Sequence, residues 1–557
     1  MSGKLAIIGA GSSGVTATKT FLEAGFTDIT CFERRDVLGG LWHFIEREGL
    51  WEDESSVNRS TVINTSKEFM AFSDYPMPDW YPNFCHNLDV EVYFKDYAEH
   101  FGVTKHIRYN TEIMSLKKHS SFDSTGRWEL RCKDHKSGEE KNEVFDFVLV
   151  CNGHHGAPHR PSFPGLDTFK GQVMHSKEFK DVRGHEGKNA LVVGIGNSGG
   201  DCAVELSKYS KVYLSTRRGA WVLNRLTANG MPWDVDYHCR RRAMIAPWLP
   251  VSYKHKKIKQ QLTERFDHDF YGMTPDHPPG STHPTVNDEL PNRIAAGMIK
   301  VKSNVRSFSE KGVTFDDGTY HDVELVVLCT GYKIEYPFID KSILDIKRNR
   351  ITMYKNMFLP DLKHQTIAFL AVIQPLGSVF PIAEMQSRVA ARVFKGELKL
   401  PSASEMKREI DDAYKAMRKR YVDTARHTIQ VDWLPFMDEL AEMVGCKPNL
   451  LKYLFTDPRL FWALFNGPGV PYQYRLEGPD AWPGARHAIL TTMDRVRKPF
   501  QTRKVEKSSS SSSGFSSLVF VATLLAGAAT YAYYYIKRNN VELPDFLKAI
   551  DFLKLGN

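Results

Sequence analysis

Two glycine-rich segments of the chain have the residue types and spacing of a turn that binds the phosphates of a dinucleotide. The first reads Gly9-Ala10-Gly11-Ser12-Ser13-Gly14, and the second reads Gly194-Ile195-Gly196-Asn197-Ser198-Gly199-Gly200-Asp201. Glycine lets the backbone approach a diphosphate closely, and the free amides at the start of the following helix favour its negative charge. Such spacing is a weak signal alone, so its meaning depends on the neighbouring elements.

The residues that follow each turn predict which dinucleotide it binds. The strand after the first turn ends on Glu33, whose carboxylate would accept hydrogen bonds from the ribose diol of FAD. The strand after the second turn continues into Arg217 and Arg218. A guanidinium pairs with a 2′-phosphate, which a carboxylate would repel. We therefore expect FAD at the first turn and NADP(H) at the second, with hydride passing between them.

Apolar runs predict the strands that must position the two turns. Such runs end at each glycine turn, and two others, at 145–153 and 323–331, break at a polar residue followed by glycine. Runs of this kind suit buried parallel strands. They predict an α/β fold with two Rossmann-like dinucleotide-binding domains, the NADP domain being inserted in the FAD domain. The expected FAD domain comprises 1–160 and 330–505, and the expected NADP domain comprises 161–329, with a helical subdomain at about 217–300.

Length and composition indicate a folded chain of more than one domain. The chain has 557 residues, of which 42% are apolar and 25% charged, and its net charge of +8 is mild for this size. We therefore expect no nucleic-acid partner. The eight cysteines include no C-x-x-C pair, which predicts neither a disulfide framework nor a metal site, and argues against a disulfide reductase.

The C-terminal region has the composition of a membrane anchor. A serine-rich linker at 506–513 precedes 514–536, which are 23 residues without a charge, long enough to span a bilayer as a helix. Basic residues are more numerous before this segment than after it, which predicts a cytosolic body and a short tail, 537–557, across the membrane. The alternative is a buried core helix.

Several motifs resemble those of a known enzyme family. The segment Phe169-x-Gly171-x-x-x-His175-x-x-x-Phe179 is similar to the fingerprint of class B flavoprotein monooxygenases. Phe179 lacks the polar edge usual at its position, and Asn152 replaces a usual threonine, but neither change removes a group that the chemistry requires. Along almost the whole chain the sequence resembles the microsomal flavin-containing monooxygenases. The motifs that carry this resemblance are the two glycine turns, Gly39-Gly40-Leu41-Trp42, Cys329-Thr330-Gly331-Tyr332 and the C-terminal segment.

Within that family, details such as Asn64-Thr65-Ser66-Lys67 and His154-His155 are most similar to the fifth mammalian isoform. The resemblance implies that NADPH reduces FAD and that O2 then adds at the flavin C4a. The resulting (hydro)peroxyflavin would oxygenate nitrogen or sulfur of small lipophilic compounds, xenobiotics among them. It also implies attachment to the endoplasmic reticulum membrane, and it leaves a homo-oligomer open.

The same resemblance assigns site residues. Asn64 is the expected catalytic residue, because a neutral amide can donate to a flavin or peroxide oxygen and accept from the nicotinamide. The residues expected at FAD are Gly9, Ala10, Gly11, Ser12, Ser13, Gly14, Glu33, Gly40, Leu41, Trp42 and Thr65. The residues expected at NADP are Asn64, Gly194, Gly196, Asn197, Ser198, Gly199, Gly200, Asp201, Arg217, Arg218 and Gln374.

Three other functions remain open at this point. The fingerprint and the nearest isoform are compatible with Baeyer–Villiger oxidation of ketones to esters. Release of hydrogen peroxide by an uncoupled NADPH oxidase is the second alternative. The third belongs to another class, a catalytically silent, membrane-anchored protein that senses NADP or FAD.

Overall fold

The computed structural model describes residues 3–503, which fold around two five-stranded sheets. Their strands, in chain order, are β1 (Lys4–Ile8), β2 (Asp28–Phe32), β3 (Ile107–Arg108), β4 (Phe147–Val150), β5 (Gln172–His175), β6 (Ala190–Val193), β7 (Val212–Ser215), β8 (Ile299–Lys302), β9 (Leu325–Leu328) and β10 (Ile367–Phe369). The first sheet has the order β10-β4-β1-β2-β3 and the second has the order β8-β7-β6-β9-β5. All neighbouring strands in both sheets run parallel.

The two sheets repeat one plan, which explains the duplicated sequence motif. In each, a central strand leads through a glycine turn into a helix, α1 (Ser12–Glu23) or α2 (Asn197–Ser207), and then into the neighbouring strand. Apart from Lys4 at the start of β1, the central strands are apolar because both of their faces are buried. The α/β class predicted from the sequence is confirmed.

The chain forms the second sheet between two strands of the first, since β5 to β9 all lie between β4 and β10. The two crossings between the sheets run side by side, where Ala157–Pro158 pairs antiparallel with Tyr332–Lys333. The domain boundaries given above stay predictions.

Smaller sheets and helices cover the two parallel sheets. The remaining strands are Thr111–Lys118, Trp128–Asp134, Glu140–Phe145, Ala157–Pro158, Val222–Leu223, Thr285–Val286, Val305–Phe308, Gly312–Phe315, Tyr320–Asp322, Tyr332–Lys333, Gln374–Leu376 and Gln430–Asp432. The remaining α-helices are Lys67–Met70, Asn87–His100, Phe122–Thr125, Trp233–Tyr237, Arg240–Ile245, Val251–Thr263, Leu290–Ala295, Phe380–Phe394, Ala403–Arg420, Trp433–Val444, Leu450–Thr456, Pro458–Asn466, Ala485–Leu490 and Thr492–Arg497. Single 3-10 turns occur at Gly40–Trp42, Arg47–Gly49, Thr104–His106, Ala246–Trp248, Pro471–Arg475 and Lys498–Phe500.

The largest hydrophobic core holds the first glycine turn in place. Helix α1 packs against helix Phe380–Phe394, which is buried along most of its length. Phe21 of α1 and Phe394 of the second helix bring their rings within 5.7 Å. The first turn therefore begins a helix that is fixed on both sides, by the sheet and by a second helix.

The segment expected to cross the membrane, 514–536, lies outside the described residues, as do the linker 506–513 and the tail 537–557. Among residues 3–503, no helix combines the length and the apolar character that a membrane span needs.

Candidate active site

The first glycine turn is held so tightly that two of its glycines cannot be replaced without moving the backbone. Gly9 has φ of +98°, and its N–H donates to the carbonyl of Phe32 at 2.8 Å. A Cβ built on Gly14 would lie 1.8 Å from the Gly9 carbonyl oxygen. Gly11 lies against Gly40, because a Cβ on Gly11 would be 3.6 Å from the Gly40 Cα. The predicted turns around Gly11 and Gly40 therefore meet, and turns without side chains let a diphosphate approach the backbone.

Glu33 fixes the first turn through its carboxylate. One oxygen accepts from the Ala10 N–H and the other from the Arg35 N–H, each at 2.9 Å. The side chain is only 7% exposed, and this burial raises its pKa. Each carboxylate oxygen can accept two hydrogen bonds, so acceptor capacity remains for the ribose hydroxyls of FAD.

Leu41 and Trp42 follow directly on the glycine pair beside the first turn. Leu41 is 40% exposed, although leucine is usually buried. Trp42 is half-buried, with its ring edge-on to Phe380 at 6.0 Å. An apolar surface beside a phosphate-binding turn suits the isoalloxazine ring of a flavin. Of the other residues expected at FAD, Ser13 is buried, while Ser12 and Thr65 are half-buried.

The second glycine turn repeats the geometry of the first. Gly194 has φ of +102°, and its N–H donates to the Ser215 carbonyl at 3.0 Å. A Cβ on Gly199 would lie 2.1 Å from the Gly194 carbonyl oxygen. Asn197 uses its side-chain oxygen to accept from the Val286 N–H at 2.9 Å, whereas the Ser198 side chain is exposed at the start of α2. The helix N-terminus is thus open to an anion.

Arg217 and Arg218 are exposed just beyond the carboxyl end of β7. This end of the strand is next to the second turn, since β7 pairs with β6. Arg218 Nε lies 3.6 Å from Asp276 Oδ2, a weak contact between two exposed groups. Both guanidiniums are therefore accessible to a phosphate on the nucleotide.

Asn64, the expected catalytic amide, is held by an arginine from a distant part of the chain. Arg225 Nη2 donates to Asn64 Oδ1 at 2.8 Å, and Arg225 Nε donates to the Ile63 carbonyl at 3.0 Å. Arg225 is itself 9% exposed and pairs with Asp288 at 3.1 Å. Because its oxygen is occupied by a guanidinium, the exposed Asn64 amide has its Nδ2 hydrogens available to a ligand.

Two buried acids help to connect the turn around Asn64 with the second glycine turn. Asp234 accepts from the Ser66 N–H at 2.6 Å, which fixes the turn that carries Asn64. Asp201, the fifth residue of α2, accepts from Asn287 Nδ2 at 2.8 Å. Burial raises the pKa of each acid to about 6. Asp234 and Asn287 belong to the chain around Arg225, so this region links Asn64 to the second turn.

Burial of Asp234 predicts a pH dependence of stability. Its pKa is about 6 in the folded protein against an ordinary 3.8, so the folded chain binds the proton more tightly than the unfolded chain. The stabilisation from that proton is present below about pH 4 and is lost as the pH rises through about 6, on the order of 3 kcal/mol in all. The amide of Asp234→Asn does not titrate and so does not lose this stabilisation. We therefore expect the Tm of the variant minus the Tm of wild type to increase as the pH rises from 4 to 7.

The control for this measurement is Asp236→Asn on the same short helix, because Asp236 is exposed. Its Tm difference from wild type should stay constant over the same pH range. A Tm difference for Asp234→Asn that is also independent of pH would contradict the assignment.

Gln374 begins the short strand Gln374–Leu376, which pairs with Gln430–Asp432. Its backbone N–H donates to the Ile429 carbonyl at 2.7 Å, and its side-chain oxygen accepts from Gln430. Gln430 in turn hydrogen-bonds His283, which lies beyond β7 in the chain that forms the second sheet. Gln374 is therefore connected through Gln430 to His283, which lies between β7 and β8 in the chain.

Thr65, expected at FAD, and Asn64, expected at NADP, are adjacent, and the region around Arg225 connects them to the second turn. The sequence did not reveal Arg225, Asp234, Asn287 or Asp288, which make this connection. They belong to no local motif, and the only available sign was that the segment 217–300 exceeds what a nucleotide fold needs.

Comparison with known proteins agrees with this geometry. Residues 2–534 match the family described as flavin-binding monooxygenase-like. The chain is 48% identical to Flavin-containing monooxygenase 5 of Cavia porcellus, over 95% of this chain and 99% of the relative. It is 42% identical to Dimethylaniline monooxygenase (N-oxide-forming) 2 of Rattus norvegicus, over 94% of this chain and 97% of the relative.

Among solved structures, the fold is similar to that of S-allyl-L-cysteine S-oxygenase from Allium sativum. The TM-score is 0.61 at 22% identity, covering 89% of this chain and 99% of that one. The resemblance inferred from the motifs, including that to the fifth mammalian isoform, is confirmed, and with it the enzyme class and the FAD and NADPH cofactors. The chain therefore belongs to the flavin-binding monooxygenase-like family.

Proposed function

We propose that this flavin-dependent monooxygenase uses NADPH and O2 to oxygenate nitrogen or sulfur of small lipophilic compounds. FAD would be bound at the first glycine turn and NADP(H) at the second. The observation that supports this arrangement best is the Asn64 amide. Arg225 donates to its oxygen at 2.8 Å, and the amide's N–H donors have no hydrogen-bond partner among residues 3–503. When bound, the flavin accepts hydride from NADPH and activates O2 for transfer to the substrate.

The chain's own residues would bind and orient the cofactors and would exclude water from them. Gly11, Glu33 and Leu41 would hold the phosphates, ribose and ring of FAD, respectively. Asn64 Nδ2 would donate to an oxygen at the reacting end of the flavin, where a fixed neutral donor stabilises developing negative charge. Asp234 and Arg225 act as positioning residues, since they contact the turn around Asn64 rather than the reacting atoms.

Oxygenation at nitrogen or sulfur is favoured over the alternatives by the 42% identity to a relative named as N-oxide-forming. Baeyer–Villiger oxidation of ketones is a second candidate, supported by the fingerprint from Phe169 to Phe179. The purified enzyme should be offered a tertiary amine, a sulfide and a ketone with NADPH. Amine oxide and sulfoxide are expected to exceed ester. Ester in excess would favour the second candidate, and peroxide alone would indicate an oxidase.

We further propose that the protein is attached to the endoplasmic reticulum membrane by residues 514–536, with its catalytic body in the cytosol. The support is the uncharged 23-residue sequence and the basic residues that precede it. A chain ending at residue 505 should be released from membranes by washing, whereas the full chain should need detergent. Release of both would contradict the anchor.

The two arginines after β7 give a test of NADPH preference. Arg217→Gln combined with Arg218→Gln removes both candidate partners of the 2′-phosphate. We expect the preference for NADPH over NADH, measured as the ratio of kcat/KM, to fall on the order of 100-fold, as for loss of charged hydrogen bonds. Lys211→Gln, at the opposite end of the same strand, should leave the ratio unchanged. An unaltered ratio in the double variant would contradict the assignment.

A further inference from the structure

Arg426 occupies the space beside the second glycine turn, although it belongs to a different part of the chain. It lies in the segment 421–429, between helix Ala403–Arg420 and strand Gln430–Asp432, well after β10. A Cβ built on Gly196 would be 2.9 Å from Arg426 Nη2 and 3.5 Å from its Cζ. The guanidinium therefore lies directly over the middle glycine of the turn. That glycine is the one whose backbone approaches a diphosphate in this type of turn.

Arg426 makes no ion pair with a carboxylate among residues 3–503. Its pKa is lowered by loss of solvent alone, and no carboxylate in the described residues offsets that effect. The neighbouring titratable groups are His283 and His427, whose pKa values fall to about 4 through burial and the charge of Arg426. Arg426 is exposed, and a guanidinium without an acidic partner can pair with an anionic ligand. The space beside Gly196 thus has a positive charge that favours an anionic ligand.

The backbone around Arg426 is held by hydrogen bonds to two other parts of the chain. Val422 N–H donates to the Ser281 carbonyl at 2.9 Å, and Ser281 lies in the chain between β7 and β8. On the other side, Asn349 Nδ2 donates to the Ala425 carbonyl at 3.1 Å. These contacts fix the segment at the position from which the guanidinium reaches Gly196.

We propose that Arg426 binds the diphosphate of the dinucleotide at the second glycine turn, so that the nucleotide is enclosed by both parts of the chain. This inference rests on the proposed function, because it requires NADP(H) at that turn. A guanidinium can form two parallel hydrogen bonds with phosphate oxygens. Arg217 and Arg218 would contact the 2′-phosphate at one end of the same ligand, and Arg426 would contact its middle.

The test compares two probes that share the 2′-phosphate but differ in the diphosphate. Binding of NADP+ and of adenosine 2′-monophosphate to the full-length, flavin-loaded protein is measured by isothermal titration calorimetry. For Arg426→Gln we expect the Kd of NADP+ to increase by about 10- to 100-fold, as for loss of a charged hydrogen-bond partner. The Kd of adenosine 2′-monophosphate should not change. Arg426→Lys should retain part of the affinity for NADP+, because it keeps the charge but loses the paired donors.

Arg408→Gln is the matched control, because Arg408 is exposed on the helix before this segment. It should leave both affinities unchanged. An unchanged Kd of NADP+ in Arg426→Gln would overturn the inference, and equal losses for both probes would show a structural effect instead. Failure of the wild-type protein to bind NADP+ would overturn the proposed NADP site itself, which is a distinguishable result.

Discussion

Substitution Gly199→Ala should produce a protein that keeps its flavin but is no longer reduced by NADPH at a useful rate. The new Cβ would lie 2.1 Å from the Gly194 carbonyl oxygen, so the second turn or α2 must move. Displaced backbone amides could not contact the diphosphate together. Accommodating the extra methyl group should cost about 2–3 kcal/mol. We therefore expect the rate of anaerobic flavin reduction by NADPH to fall on the order of 100-fold.

The corresponding change in the first turn, Gly14→Ala, should have a different result. Its Cβ would lie 1.8 Å from the Gly9 carbonyl oxygen, and the variant should purify with little flavin. Gly49→Ala is the control, because that Cβ would meet only the Ile45 side chain, at 3.3 Å. Loss of flavin from Gly199→Ala, or its retention in Gly14→Ala, would contradict the assignment of one cofactor to each turn.

The second large effect is expected from Asn64→Asp. Aspartate can still pair with Arg225, which lies 2.8 Å from the Asn64 side-chain oxygen, but it has no N–H to donate and adds a negative charge. We expect the rate of sulfoxide formation to fall on the order of 100- to 1,000-fold, as for removal of one donor to a developing oxyanion. Flavin content should be little changed, and NADPH should still reduce the flavin. The NADPH consumed should then appear as hydrogen peroxide.

Asn229→Asp provides the control for this change, because Asn229 is exposed and belongs to a loop next to Arg225. That variant should form sulfoxide at the wild-type rate. Normal sulfoxide formation by Asn64→Asp would show that the Asn64 amide does not donate to the reacting oxygen.

The elements around the glycine turns could be predicted because their signals are local. The signals for the first turn all lie within about 30 residues. They are an apolar strand, the three glycines Gly9, Gly11 and Gly14, and then Glu33. Each signal reflects a backbone or burial requirement that neighbouring residues satisfy together. The predicted α/β class followed from the same patterns.

The contacts that assemble the site could not be predicted, because they join distant parts of the chain. Asn64 and Arg225 are 161 residues apart, and Ser66 and Asp234 are 168 residues apart. Neither pair belongs to a motif, and an arginine or aspartate in a loop is usually solvated. Arg426 likewise follows a charged helix in the sequence, and only the fold brings it to Gly196.

The most direct test of the central claim is oxygen-isotope transfer. The detergent-solubilised, flavin-loaded enzyme is supplied with NADPH, ¹⁸O₂ and a dialkyl sulfide, and sulfoxide, hydrogen peroxide and NADPH are measured together. We expect one ¹⁸O atom in each sulfoxide molecule and nearly one sulfoxide per NADPH consumed. Peroxide equal to the NADPH consumed, with no labelled sulfoxide, amine oxide or ester from the corresponding substrates, would contradict a monooxygenase.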